Sequence, residues 1–285
     1  MQNKIYVVQA LMAGFFFGTA SIFIRFISGL DAITIGFYRL LIASSILLIA
    51  NLLLKRKKVA LQGVSPWRVG ILGLLLGIHF AMFIYSVKVT TVINATVLVN
   101  TTPAIALIIY CVRNRERPSN IATFGLLMSM TGIFIISALD IKFSLSNIIG
   151  DFLSLSAAIL WAIYLVVGKP IREKSDVLSI MPVIYFIGCI ALMILSLISG
   201  VFMFPTLDQW APLIGLSIFP TTIGHTLHFS SMKALRPFQT SILTLLEPLT
   251  ATVLAFIILN EIPAPPFILG AAVVLVGIYL VIRAL

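Results

Sequence analysis

Within the apolar run TLLEPLTATVLAF, Thr244 to Phe256, a carboxylate stands directly before a proline. Ionisable groups at bilayer depth are costly and mark substrate or ion pathways by default. Glu247 can there serve as a proton-coupling group or neutralise a cationic part of a substrate. The structural alternative is a protonated or hydrogen-bonded Glu held by neighbouring helices. Pro248 frees the carbonyl of Thr244, and Pro103 in another apolar run frees that of Val99. Such breaks survive in membranes where neighbours or a water-filled cavity satisfy the backbone. Both prolines therefore read as kinks, with or without carbonyls offered to a substrate.

Arg39, in FYRLLIA, lies several residues inside its run and can hold a substrate carboxylate with two parallel hydrogen bonds, or reach back to the interface. Arg25 lies nearer the end of its run, where snorkelling explains it more simply. His79, His225 and His228 also fall in apolar runs, the last two on one helical face. Proton relay or cavity lining competes here with satisfied packing histidines. They form no HExxH motif and have no acidic partners in sequence, so no metal site is expected. NATVLVNTTP brings Asn94, Asn100, Thr101 and Thr102 ahead of Pro103, while Gln239, Thr240, Ser241 and Thr244 precede Glu247. Thr240, Thr244 and Glu247 share a stripe at helical spacing, which suits either a central cavity or interhelical hydrogen bonds. Trp161 and Tyr164, with Phe17 and Phe83, are candidates for aromatic walls or for ordinary packing.

These residues need elements to hold them, and the composition says which. Of 285 residues, 60% are hydrophobic and only 10% charged, against roughly a quarter charged in a soluble domain; mean hydropathy is +1.15. Apolar runs of the length that crosses a hydrocarbon core of about 30 Å lie at 5–27, 32–54, 67–87, 92–112, 120–139, 147–168, 178–200, 209–232, 237–259 and 263–284. Barrel strands would be shorter and alternate in polarity. The reading is an all-α membrane protein of ten transmembrane helices. Its first run is expected to remain as a span, being too long for a cleaved signal peptide. Cys111 and Cys189 fall inside runs, which argues against a disulfide framework.

The net charge of +10 is scattered over short loops, which excludes a nucleic-acid-binding surface and instead sets orientation. With a cytoplasmic N-terminus, fifteen of the 19 basic residues fall at inner ends: Lys4, Lys55, Arg56, Lys57, Lys58, Arg68, Arg113, Arg115, Arg117, Lys169, Arg172, Lys174, Lys233, Arg236 and Arg283. Arg25, Arg39, Lys88 and Lys142 fall in the outer half. This bias follows the positive-inside rule and places both termini in the cytoplasm.

An internal repeat sharpens the picture. Pro103 matches Pro248, Glu116 matches Glu261, Gly125 matches Gly270 and Gly132 matches Gly277, each pair 145 residues apart. Lys88 and Lys233 share that offset, and Arg25 and Lys169 differ by 144. The chain reads as two five-span copies, 1–142 and 143–285. Five is odd, so the copies must be inverted about the membrane plane, the construction of secondary transporters that open a midplane site alternately to either side. Gly14–Gly18 and Gly73–Gly77 permit close helix approach, expected within the first half, with a dimer contact as the alternative. Glu116 and Glu261, at membrane edges, are expected to be structural, Glu116 tying Arg115 or Arg117.

AGFFFGTASIFIRF, FYRLLIA and the two Pro…Glu…Gly…Gly stretches resemble the drug/metabolite transporter superfamily, specifically its EamA-type ten-span members. The resemblance covers essentially the whole chain and is specific to the family, not to a substrate. It implies a 5+5 transporter in the cell membrane that exports or exchanges amino acids, other metabolites, nucleotide sugars or drugs around a central cavity. It also weakens the case for Glu247 as a special residue, because a similar Leu-Glu-Pro is frequent in the family. The leading expectation is a secondary transporter of amino acids, coupled to protons or working by exchange, as monomer or homodimer. Drug, amine or nucleotide-type substrates are the alternatives. An intramembrane enzyme is a distant one, since neither a Walker A loop nor a G-x-S-x-G motif occurs. No cofactor is expected.

Overall fold

The computed structural model describes residues 3–54, 64–137 and 145–285. Lys55 to Lys58, Lys142 and the boundary between 142 and 143 lie outside the described residues. Helices account for all regular structure among those described. They follow as α1 (Asn3–Phe17, continued by Ala20–Phe26), α2 (Ala32–Leu53), α3 (Pro66–Val89), α4 (Val92–Val99 and Thr102–Asn114) and α5 (Asn120–Ser137). Then come α6 (Leu145–Lys174), α7 (Val177–Ile198), α8 (Leu207–Leu216, a π-helical stretch Ser217–His225, and Thr226–Ser231), α9 (Pro237–Leu243 and Leu246–Leu259) and α10 (Phe267–Arg283). Seven of these, α1 to α4, α6, α7 and α9, are long and apolar enough to cross a membrane; α5 and α10 are shorter apolar helices. The chain is a multi-pass membrane protein.

Local chemistry sets the ends. The Asp31 carboxylate accepts from Ile33 N–H at 2.8 Å to start α2, and the Thr91 hydroxyl accepts from Asn94 N–H at 3.1 Å to start α4. Pro66 and Pro237 open α3 and α9 at positions where no backbone donor is needed. Arg115 and Asn260, 145 residues apart, both end their helices in the left-handed conformation at φ 55°.

The helices pack in a pattern that survives replacing each helix by the one five places along. α2 lies on α7, α5 on α10 and α4 on α9; α3 meets α6 and α7 as α8 meets α1 and α2; α4 meets α6 as α9 meets α1. The α5–α10 pair is the closest approach. A methyl group on Gly132 would lie 2.6 Å from the Gly270 carbonyl oxygen, and one on Gly277 would lie 2.6 Å from that of Gly125. Lipid supplies no hydrophobic drive between helices, so such backbone contact is what holds them together. The small residues of α1 and α3 pack differently from the expectation above. Gly14 and Gly18 abut Thr244 and Thr250 of α9, and Gly73 and Gly77 abut Ile187 and Gly188 of α7. They join the first five helices to the last five, because the two sets interleave.

Candidate functional site

The helices α4 and α9 break at matching points. α4 pauses at Asn100 and Thr101, and α9 at Thr244 and Leu245, each just before its proline. The carbonyl of Val99, deprived of a donor by Pro103, accepts the Thr102 hydroxyl at 2.7 Å. The carbonyl of Thr244, deprived by Pro248, accepts Glu247 N–H at 2.9 Å, a tighter turn. Each half of α4 packs against the opposite half of α9, so the two breaks lie together. Gly14 makes room for the α9 break: a methyl there would come within 2.8 Å of the Thr244 oxygen.

A cavity opens beside these breaks. Its walls are Phe17 and Ala20 of α1, Arg39 of α2, His79, Phe80 and Phe83 of α3, and Val99, Asn100 and Thr102 of α4. Trp161 of α6, His225 of α8, and Ser241, Thr244 and Glu247 of α9 complete them. Its volume is about 30 Å³, room for a water or two and not for a metabolite.

A basic and an acidic side chain share this space. Arg39 is 1% exposed; its Nε donates to the Thr221 hydroxyl at 2.6 Å, and its guanidinium lies 3.7 Å over the Phe80 ring. Its Nη1 has no hydrogen-bond partner. Glu247 is 9% exposed and lines the same cavity as Asn100, whose amide nitrogen donates to Thr96 O at 2.7 Å. No direct ion pair joins the two. Removing a charge from water is expensive unless it is paired, and at Arg39 one buried donor, Nη1, is left without a partner.

The rings around them are ordered by stacking. The Trp161 indole lies 4.7 Å from the Tyr164 ring on one side and 5.2 Å from the His79 imidazole. Because a carbonyl only accepts, His79 donates through Nδ1 to Ala157 O at 2.9 Å, which leaves Nε2 as its acceptor. His225 sits among Phe17, Phe80 and Trp161, at ring separations of 4.4, 4.8 and 4.9 Å, with Nδ1 unpartnered.

Other residues singled out in the sequence stand elsewhere. Tyr164 backs Trp161 and points its hydroxyl to the Met181 sulfur at 3.9 Å. His228 packs edge-on to Phe17 behind the wall, and the hydroxyl of Thr240 bonds that of Ser231, fastening α9 to α8. Thr101 is half-buried and hydrogen-bonds the Leu98 carbonyl at 2.8 Å; its neighbour Thr102 lines the cavity. Arg25 donates to Thr90 O at 2.6 Å and lies 3.8 Å from Glu261. Glu116 meets Arg236 at 3.2 Å and the Tyr110 hydroxyl at 3.1 Å, not Arg115 or Arg117, since α9 begins beside it. Phe80 and Thr221 belong to the site and were not foreseen. The available signal was Pro220, a proline followed by two threonines inside an apolar run. Among the described residues no cluster of three metal-ligating side chains forms.

Comparison with known proteins places this chain in a family. A family model described as the EamA-like transporter family matches residues 4–138 and again 148–283. An uncharacterized transporter of Archaeoglobus fulgidus is 28% identical over 98% of this chain and 98% of its own length. The uncharacterized transporter YwfM of Bacillus subtilis is 22% identical over all of this chain and 96% of its own. A crystal structure superposes with a TM-score of 0.81, covering 96% of this chain and 95% of that one; at 15% identity the likeness is one of fold.

Proposed function

Since this chain belongs to the EamA-like transporter family, we propose that it is a secondary transporter of small zwitterionic metabolites, amino acids above all. It works by alternating access around the cavity between α4 and α9. In this reading the chain makes ten spans with both termini cytoplasmic, and 1–142 and 143–285 are inverted copies. The exchange symmetry of the helix packing, the paired left-handed ends at Arg115 and Asn260, and the two family matches support the repeat. The observation that carries the substrate class is the presence of a basic side chain, Arg39, and an acidic one, Glu247, on one buried cavity, with no ion pair between them. An amino acid supplies a carboxylate for the first and an ammonium for the second.

The cavity is too small for such a ligand as it stands, which fits a contracted step of the cycle; rocking of one half against the other would enlarge it. Glu247 is the coupling candidate, able to bind either a proton or the substrate ammonium. Export or exchange is the expected mode. A second reading, an amine or cationic drug, draws on the aromatic rings that line the cavity with Glu247, which attract cations.

Reconstitution in liposomes tests the proposal. Saturable, trans-stimulated uptake of labelled amino acids is expected. Uptake of amines alone would move the assignment to the second reading. Chemical conversion of a solute without net movement would instead point to an intramembrane enzyme.

A further inference from the structure

The helix α8 changes its hydrogen-bonding register where it passes Arg39. Pro220 has no N–H, so the carbonyl four residues back, that of Leu216, loses its helical donor. The hydroxyl of Thr221 takes that place, donating to Leu216 O at 2.7 Å across five residues. Thr222 repeats the pattern on Ser217 O at 2.8 Å. The chain runs as a π-helix from Ser217 to His225, a rare form that is frequent at functional sites. The consequence falls on one oxygen. With its only hydrogen committed to Leu216, Thr221 Oγ1 faces Arg39 as a pure acceptor, and Arg39 Nε donates to it at 2.6 Å. The backbone of Thr221 is pinned as well, its carbonyl accepting the Tyr185 hydroxyl at 3.0 Å. Phe80 covers one face of the guanidinium at 3.7 Å. The Nε edge is thereby fixed, while Nη1 stays unpartnered.

We propose that Thr221 is a positioning residue: the π turn made by Pro220 converts its hydroxyl into a fixed acceptor that aims the terminal nitrogens of Arg39 at a substrate carboxylate. The inference rests on the reading of Arg39 as the carboxylate-binding group. A threonine that only satisfied a buried cation would stabilise the fold and leave discrimination between solutes untouched.

Two measurements decide it. In protein labelled with 15N-arginine, the Arg39 Nε–H signal is identified by its loss in Arg39→Lys. Thr221→Val is expected to move that signal, and Thr221→Ser, which keeps the hydroxyl, to restore it. An unmoved signal in Thr221→Val would overturn the positioning, and this arm needs no substrate. In liposomes, L-leucine, isoamylamine and 4-methylpentanoate are compared as a zwitterion, a cation and an anion of one skeleton. Thr221→Val should weaken leucine and 4-methylpentanoate about tenfold, the worth of a hydrogen bond to a charged group. Isoamylamine should change by less than about twofold, and Thr221→Ser should behave as wild type. An equal loss for all three would overturn the link to carboxylate recognition. If wild type takes up isoamylamine and neither carboxylate, the amino-acid reading fails, while the arginine signal still decides the geometry at Thr221.

Discussion

Adding one methyl group to the α5–α10 seam should destabilise the protein without touching the cavity. In Gly277→Ala the new carbon would start 2.6 Å from the Gly125 carbonyl oxygen, whereas carbon and oxygen rest at about 3.3–3.6 Å even in favourable contacts. The shortfall is roughly 0.7–1 Å, and backbone stands on both sides, so the helices themselves must separate. Overpacking of this kind costs about 1–3 kcal/mol, which for a chain of this size lowers the thermal midpoint by roughly 2–10 °C. Gly125→Ala attacks the same contact from the other helix, with its methyl 2.8 Å from the Gly277 oxygen. The double variant should therefore lose less than the sum of the singles, because helices already parted by one methyl admit the second more easily. Gly70→Ala is the control: no atom lies within 4 Å of a methyl there, and a helical glycine replaced by alanine gains about 0.5–1 kcal/mol. Thermal unfolding of the purified protein in detergent, followed by size-exclusion chromatography, measures all four. A Gly277→Ala variant as stable as wild type, or additive losses in the double, would refute the claim that these backbones touch.

Three other outcomes bear on the site and its surroundings. Glu247→Gln is expected to abolish the pH dependence of uptake while part of the exchange activity survives; intact pH dependence would remove Glu247 as the coupling group. Arg39→Gln should weaken carboxylate-bearing solutes by about tenfold or more relative to amines, and equal weakening of both in competition assays would make Arg39 structural. Glu116→Gln should change stability by less than about 1 kcal/mol, and less still in high salt. Its partner Arg236 is 41% exposed and such surface pairs are weak; a larger loss in the same unfolding assay would contradict that.

Much of the architecture was legible because lipid imposes a simple length rule. The runs expected at 32–54 and 237–259 are the helices Ala32–Leu53 and Pro237–Leu259. The run at 147–168 stops short of α6, which continues to Lys174; its last turns carry Lys169, Arg172 and Lys174, and hydropathy cannot follow a helix once it turns polar. The offset of 145 pairs Gly125 with Gly270, yet in space Gly125 meets Gly277 and Gly132 meets Gly270. Sequence alignment reports equivalence between copies, whereas an antiparallel pair makes contact crosswise. The stripe of Thr240, Thr244 and Glu247 divides for a similar reason: helical spacing puts residues on one face, but only neighbouring helices decide where that face meets α8 and where it meets the cavity. Phe80 carries no signal in the sequence, and for Thr221 the only one is its place after Pro220. A threonine and a phenylalanine in apolar runs are ordinary until a buried guanidinium is seen to rest on both.

The crossing of α4 with α9 also sets a timetable for making the protein. Pro248, at the second break, emerges from the ribosome 145 residues after Pro103 at the first, a delay of roughly 7–30 s at ordinary rates of synthesis. Through that interval the polar stretch of α4, Asn100 and Thr102 included, lacks the helix that completes its enclosure. Lipid offers these groups no hydrogen bonds. α6, whose Ala158 carbonyl accepts from Thr102 at 3.3 Å, is synthesised in between and can shelter the α4 break until α9 arrives.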